Sequence, residues 1–175
     1  MDLKKYIRSI HDYPKKGILF RDITTLIKDK NAFKDCIDKI SKLLDKVSCD
    51  KIAGIESRGF IFSSPLAYNL NKPNILLRKK DKLPAEKHSV DFELEYGKAT
   101  LEIHKDSVNY KEKVVIVDDL IATGGTAHAA AKLVEKCGGE VTAFIFVINL
   151  FDLGGKEFLI KKNYKCFSLI NFPGH

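Results

Sequence analysis

The chain has 175 residues, a formal net charge of +7, and a composition of 45% hydrophobic and 30% charged residues. That is long enough for one domain (1–175) to bury a core without disulfide or metal staples, and the balance is that of a soluble globular enzyme rather than a disordered or fibrous chain. No apolar run approaches the roughly 18 residues that span a bilayer, and Met1-Asp-Leu-Lys-Lys has no secretory apolar core, so a cytoplasmic protein without membrane contact is expected. In chain order, Phe33, Ile37, Ile40, Leu44 and Val47 recur at helical spacing, with Asn31 as the expected N-cap. Lys51 to Glu56 reads as a short strand. Gly59 to Leu70 reads as mainly helical, Pro65 being tolerable only in a first turn or at a kink. Asn74 to Lys79 is a further strand. Val90, Phe92, Leu94 and Tyr96 alternate with acids, Gly97-Lys98 turns the chain, and Ala99 to His104 alternates again, which is a β-hairpin. Val114 to Val117 is a buried strand. The helix after it carries Ala127, Ala130, Ala131, Val134 and Cys137 on one face and stops at Gly138-Gly139. Val141 to Leu150 is a central strand and Cys166 to Phe172 a terminal one. Strands alternating with helices imply an α/β fold with a mainly parallel central sheet flanked by helices.

Cys36, Cys49, Cys137 and Cys166 are scattered, as reduced and mostly buried thiols would be. The five histidines (His11, His88, His104, His128, His175) show no metal-ligand spacing. The positive charge fits three readings: nucleic-acid binding, a solvated lysine-rich surface, or focusing of an anionic small substrate. No aromatic-interleaved basic motif or helix-turn-helix supports the first.

The chemistry concentrates in Val114-Val-Ile-Val-Asp-Asp-Leu-Ile-Ala-Thr-Gly-Gly-Thr126. Here a strand should end at two acids, followed by a glycine loop opening a helix. In an open α/β sheet, ligands bind outside such strand ends. The loop offers backbone N–H groups and a helix dipole to a phosphate. Asp118 and Asp119 would repel a phosphate but suit sugar hydroxyls or a metal ion beside it. Together these describe a sugar phosphate. An ordinary strand followed by a glycine turn is the plainer alternative. A Walker loop is excluded, because no lysine follows the glycines.

This segment resembles the phosphoribosyl-pyrophosphate (PRPP) signature of the type I phosphoribosyltransferases. The resemblance implies a Rossmann-like fold with an N-terminal hood (1–30) and a flexible loop or hairpin (80–104). It implies that Asp118 and Asp119 hold the ribose hydroxyls, that Ala122, Thr123, Gly124, Gly125 and Thr126 cradle the 5′-phosphate, and that magnesium arrives with PRPP, with Asp118 and Asp119 as the protein groups nearest it. Gly54-Ile-Glu-Ser-Arg-Gly-Phe60 occupies the position of the family's pyrophosphate loop, with Ser57 and Arg58 as contacts. A cis peptide is frequent there in the family, and Glu56–Ser57 would be that bond. Arg78, Lys79 and Lys82 are the further pyrophosphate candidates, and Arg58 and Lys79 the cationic members of the catalytic set.

Two stretches point to the acceptor base. Tyr13-Pro-Lys-Lys-Gly-Ile-Leu-Phe-Arg-Asp-Ile-Thr24 resembles the hood of adenine phosphoribosyltransferases, and Leu94-Glu-Tyr-Gly97 with Leu101-Glu-Ile-His104 resembles their loop. The likeness implies that adenine stacks on Phe20, with backbone groups of Leu19 and Arg21 reading its edge, that Glu95 serves as acid/base or base-positioning group, and that Tyr96 packs over the closed site. It further implies adenine and PRPP as substrates, AMP and pyrophosphate as products, and a homodimer. A type I enzyme for another base, and a nucleic-acid-binding regulator that uses PRPP as effector, are the alternatives.

Overall fold

The computed structural model describes residues 1–94 and 97–174. The run Lys113–Ile121 has alternate side chains packed to opposite faces, Val115 and Val117 on one and Val114 and Ile116 on the other, and all four are buried. A strand apolar on both faces belongs in the middle of a covered parallel sheet, and this one lies there. In chain order the elements are β1 (Arg8–His11), β2 (Leu19–Asp22), α1 (Thr24–Ile27), α2 (Lys30–Leu44), β3 (Lys51–Ile55), α3 (Gly59–Asn69), β4 (Asn74–Lys79), β5 (Lys87–Leu94), β6 (Gly97–His104), β7 (Lys113–Ile121), α4 (Gly125–Lys136), β8 (Glu140–Leu150), α5 (Gly155–Lys161) and β9 (Cys166–Phe172). Short 3-10 turns occupy Leu3–Tyr6 and Phe151–Leu153.

The seven-stranded sheet runs β5-β6-β4-β3-β7-β8-β9. Its β4-β3-β7-β8-β9 portion is parallel, and the β5–β6 hairpin joins antiparallel at the β4 edge. One face is covered by α2 and α3, with Ile37, Ile40, Phe62 and Leu66 in its core. The other is covered by α4 and α5, with Ala130, Leu133, Val134 and Leu159. β1 and β2 form a separate antiparallel ribbon in which Ile10 pairs with Phe20. No helix among the described residues is long and apolar enough to cross a membrane.

Most expected elements appear within a few residues of their expected limits. Gly138 (φ 92°) ends α4 as anticipated: its N–H and that of Gly139 bond back to the carbonyls of Glu135 and Val134. Two readings change and that of Pro65 narrows to its second alternative. α2 starts earlier than Asn31, because the Asp29 carboxylate accepts the N–H groups of Asn31 and Ala32 at 3.0 and 2.9 Å and is the actual cap. Pro65 lies inside α3, past the first turn. The acids lie within β7 rather than after it: β3 pairs with β7 only as far as Val117, whereas β8 pairs on to Ile121. The β1–β2 ribbon and α5 had no periodic signal, each being shorter than two helical turns or five strand residues.

Candidate active site

Because β3 stops opposite Val117 while β7 continues, a crevice opens on the β3 side of Asp118 and Asp119. It belongs to a cavity of about 1000 Å³ built from the end of β3, the end of β7, the start of α4 and the β4–β6 edge. Five cations (Arg58, Lys79, Lys80, Lys82, Lys98) and three acids (Glu56, Asp118, Asp119) line it, an excess of positive charge suited to an anionic ligand.

Gly59, the first residue of α3, brings the β3 loop against β7. A Cβ there would stand 2.7 Å from the Val117 carbonyl oxygen and 3.0 Å from Asp118 Oδ1. This approach sets Arg58 Nε 3.0 Å from Asp119 Oδ2. The Glu56–Ser57 peptide is cis, as the family resemblance anticipated, and so is Tyr13–Pro14. The Asp119 carboxylate is buried, and apart from the Arg58 ion pair its Oδ2 has no hydrogen-bond partner. The Asp119 N–H donates to Asp118 Oδ1 at 2.8 Å. Burial raises both carboxyl groups above the usual carboxylate range. Asp118 goes furthest, with the charge of Asp119 adding to it, while Arg58 draws Asp119 back. Two buried acids beside a single guanidinium leave acceptors that suit hydroxyl donors or a cation.

Ala122 to Thr126 all line the cavity and lead into the N-terminus of α4, with Gly124 at φ 88° as the cap residue. The loop is braced from behind, since the Gly155 N–H donates to the Ala122 carbonyl at 2.9 Å. Successive N–H groups at a helix N-terminus make an anion cradle. Opposite it, Lys79 and Lys82 line the cavity, and so does Lys80, which the motif reading did not single out although it stands in the same run. Arg78 does not line it: its Nε is 3.2 Å from Glu56 Oε2. Lys98, Thr100 and Phe92 reach the site from the hairpin, where strand alternation alone could not say which face looks inward.

Phe20 lines an adjoining cavity of about 280 Å³ with Ile10, Tyr13, Asp22, Ile23, Thr24 and Arg58. Tyr13 meets the Phe20 ring edge-on at 5.2 Å, and the Arg58 guanidinium carbon is 5.5 Å from the ring centre. Arg58 therefore belongs to both cavities. Leu19 and Arg21 flank Phe20 without lining either. The Arg21 side chain turns away, donating to Ser9 Oγ and to the Pro173 carbonyl at 2.8 Å and lying over the Phe172 ring. Glu95 and Tyr96 lie outside the described residues.

A model of the phosphoribosyl transferase domain matches residues 23–174. The chain is 65% identical to an adenine phosphoribosyltransferase of Pelagibacter ubique over the full length of both proteins. Its fold is similar to the crystal structure of adenine phosphoribosyltransferase from Thermoanaerobacter pseudethanolicus, with a TM-score of 0.94, 50% identity and 98% of each chain covered. It also resembles the Saccharomyces cerevisiae enzyme solved with adenine and an imino-altritol bisphosphate, with a TM-score of 0.89, 36% identity and 97% of each chain covered. The chain belongs to the phosphoribosyl transferase family and has its type I fold.

Proposed function

We propose that the chain transfers the 5-phosphoribosyl group of PRPP to N9 of adenine, forming AMP and pyrophosphate in purine salvage. The observation that carries this reading is the pair of adjoining cavities sharing Arg58, one lined by cations and acids and one by Phe20, Ile10, Tyr13 and Ile23 with Asp22 and Thr24 as its polar members. The first suits a doubly anionic sugar phosphate and the second a flat purine. Its relatives of the same length carry the adenine phosphoribosyltransferase name.

In this reading Asp118 and Asp119 accept hydrogen bonds from the ribose hydroxyls, and the N–H groups of Ala122 to Thr126 hold the 5′-phosphate. Ser57, Arg58, Lys79 and Lys82 receive the pyrophosphate, with Lys80 beside them, while Arg78 acts through Glu56. The C1′–oxygen bond to pyrophosphate breaks with oxocarbenium character at the ribose, the electron pair leaves with pyrophosphate, and the C1′–N9 bond forms as N9 loses its proton. Arg58 and Lys79 stabilise the charge on the departing group. Glu95 takes or positions the N9 proton, and Tyr96 covers the closed site. Phe20 stacks the base while the main chain of Leu19 and Arg21 reads its edge, so that orientation is settled before the bond forms.

Among the described residues no group of three or more His, Cys, Asp or Glu is arranged to hold a metal. Among the described residues Asp119 Oδ2 is buried with no hydrogen-bond partner beyond the Arg58 ion pair, and with the Asp118 carboxylate beside it this nonetheless fits a hard cation that keeps substrate oxygens as its other ligands. Magnesium bound there with PRPP would supply charge neutralisation at the pyrophosphate and ribose oxygens.

The active form in this reading is a homodimer. Ile61 and Tyr68 on α3 and Leu76 on the neighbouring β4 are exposed at 37%, 87% and 41%, apolar side chains that a second copy would cover. Its four free thiols fit a reducing cytoplasm. The deciding experiment supplies PRPP and magnesium with adenine, hypoxanthine, guanine, xanthine, orotate or uracil in turn and follows pyrophosphate release. Release with adenine alone is expected. Release with another base instead, or salt-dependent nucleic-acid binding without turnover, would refute the reading.

A further inference from the structure

Two carboxylates outside the proposed bond-making chemistry, Glu56 partly buried and Glu102 buried, meet the lysine turn from opposite sides. Glu56, just past β3, accepts the N–H of Lys79 at 2.7 Å and Arg78 Nε at 3.2 Å. Glu102 on β6, with a side chain only 3% exposed, accepts the N–H of Asp81 at 3.0 Å, Lys87 Nζ at 3.0 Å and Ser89 Oγ at 3.3 Å. Between them runs the segment 79–82.

Among the described residues the segment's other side-chain contacts are long: Arg78 Nη1 reaches the Lys82 carbonyl at 3.5 Å and Asp81 Oδ1 lies 3.8 Å from Lys87 Nζ. β4 and β6 are joined through only two residue pairs, Arg78 with Glu102 and Lys79 with Leu101. Asp81 then takes φ 62°, turning the chain back where no ladder continues. A backbone N–H bonded to a buried carboxylate is a strong, charge-assisted tether, and two such tethers stand where ladder bonds are missing.

The same contacts sort the charges. Arg78 pairs with Glu56, and Lys87 pairs with Glu102. Among the described residues Lys79, Lys80 and Lys82 have no ion-pair partner, and these three line the cavity. Burial pushes the Glu56 carboxyl up, but the Arg78 hydrogen bond, the Lys79 N–H and their charges outweigh it, so it remains charged at neutral pH.

We propose that Glu56 and Glu102 form a two-carboxylate clamp that fixes the backbone of residues 79–82 and presents the three free lysines to the pyrophosphate, making Glu102 a positioning residue for PRPP. This rests on reading the lysine turn as a pyrophosphate subsite. Glu102 does not line the cavity, whereas Glu56 stands at its wall, so Glu102 is the member that acts only through the segment. Loss of the clamp therefore weakens PRPP and leaves adenine alone.

The test is steady-state pyrophosphate release with each substrate varied, for Glu102→Ala, Glu102→Gln, Lys80→Ala/Lys82→Ala and the triple variant. Glu102→Ala is expected to raise KM for PRPP about tenfold with KM for adenine within about twofold. Glu102→Gln keeps an acceptor for the Asp81 N–H and should recover most of the loss. On the Lys80→Ala/Lys82→Ala background the Glu102→Ala effect should shrink to below about twofold, because the two lysines flanking the Asp81 tether are gone and Lys79 keeps its own tether to Glu56. Equal rises in both KM values, or an undiminished effect on that background, would mean that Glu102 merely stabilises the fold and would overturn the clamp. An unchanged PRPP KM in Lys80→Ala/Lys82→Ala would instead remove the pyrophosphate subsite itself. Should Glu102→Ala not fold, Glu102→Asp keeps the charge but draws the oxygen back by one methylene. A PRPP-only rise of several-fold is then expected, and an unchanged PRPP KM overturns the proposal.

Discussion

Replacing Gly155 by alanine puts a methyl group outside the cavity, yet it should disable the phosphate loop. A Cβ at 155 would overlap the Ala122 carbonyl oxygen and stand 2.8 Å from the Gly124 nitrogen. Non-bonded heavy atoms settle at roughly 3.5 Å, so the loop must retreat by about 1 Å, into the space where the 5′-phosphate is proposed to sit. The Gly155 N–H bond to Ala122, 2.9 Å long, is strained or lost in the same movement. Overpacking of this kind costs about 1–3 kcal/mol and a lost hydrogen bond about 1 kcal/mol. A total near 3 kcal/mol corresponds to a fall in Tm of roughly 6–12 °C for a chain of this length. A misplacement of about 1 Å at the site can cost on the order of 100-fold in rate. The assay is a thermal melt beside steady-state kinetics, with the main loss expected in kcat/KM for PRPP. Gly154→Asn is the control, because Gly154 has φ 73° and nothing within 4 Å of its Cβ direction. A Gly155→Ala protein with wild-type Tm and PRPP kinetics would refute the argument that this close approach shapes the loop.

Phe20→Ala should raise KM for adenine by roughly tenfold or more while KM for PRPP moves little, since stacking on an aromatic wall contributes about 1–3 kcal/mol; equal losses for both substrates would make Phe20 a packing residue. Burial pushes the Cys36 thiol up to about 12 and the Cys166 thiol up to about 11, so iodoacetamide at pH 8 should label neither until denaturant is added. Those thiols ionise in the unfolded chain near pH 8.5 but later in the folded one, so stability should fall as pH rises through that window in a denaturant titration. Asp22 is the opposite case. Burial raises its carboxyl, but the Thr24 N–H at 2.9 Å and the Arg8 guanidinium outweigh it and hold it below the ordinary range. Its contribution is present above about pH 4 and lost below, so Asp22→Asn should lower Tm at pH 7 by an amount that shrinks as pH falls past that value. A constant difference across that range would remove the Arg8–Asp22–Thr24 contact from the stability of the hood.

The sheet and its two helical layers were readable because apolar runs and periodicities are local properties. Val114 to Val117, the α2 stripe and the glycines closing α4 each signal their state within a few residues. The signature segment was readable as the wall of a single cavity for the same reason, since the acids, the glycine loop and the helix start are consecutive. The hood ribbon and α5 were not, because four-residue strands and a seven-residue helix are too short to carry a period. The Asn31 cap was misread because Asp29 competes two residues upstream, and only geometry shows which oxygen meets the free N–H groups.

The sequence by itself determined the order of the longer strands and helices, the acid pair, the glycine loop and the likeness to a family. Tertiary structure alone decided how these are used. Arg58 joins two cavities because Gly59 lets α3 approach β7. Arg78 is turned from ligand to brace by Glu56, while Lys80 and Lys98, unremarkable in the chain, face inward. Which of several neighbouring charges remains free for a ligand depends on partners dozens of residues away, and a local pattern holds no record of them.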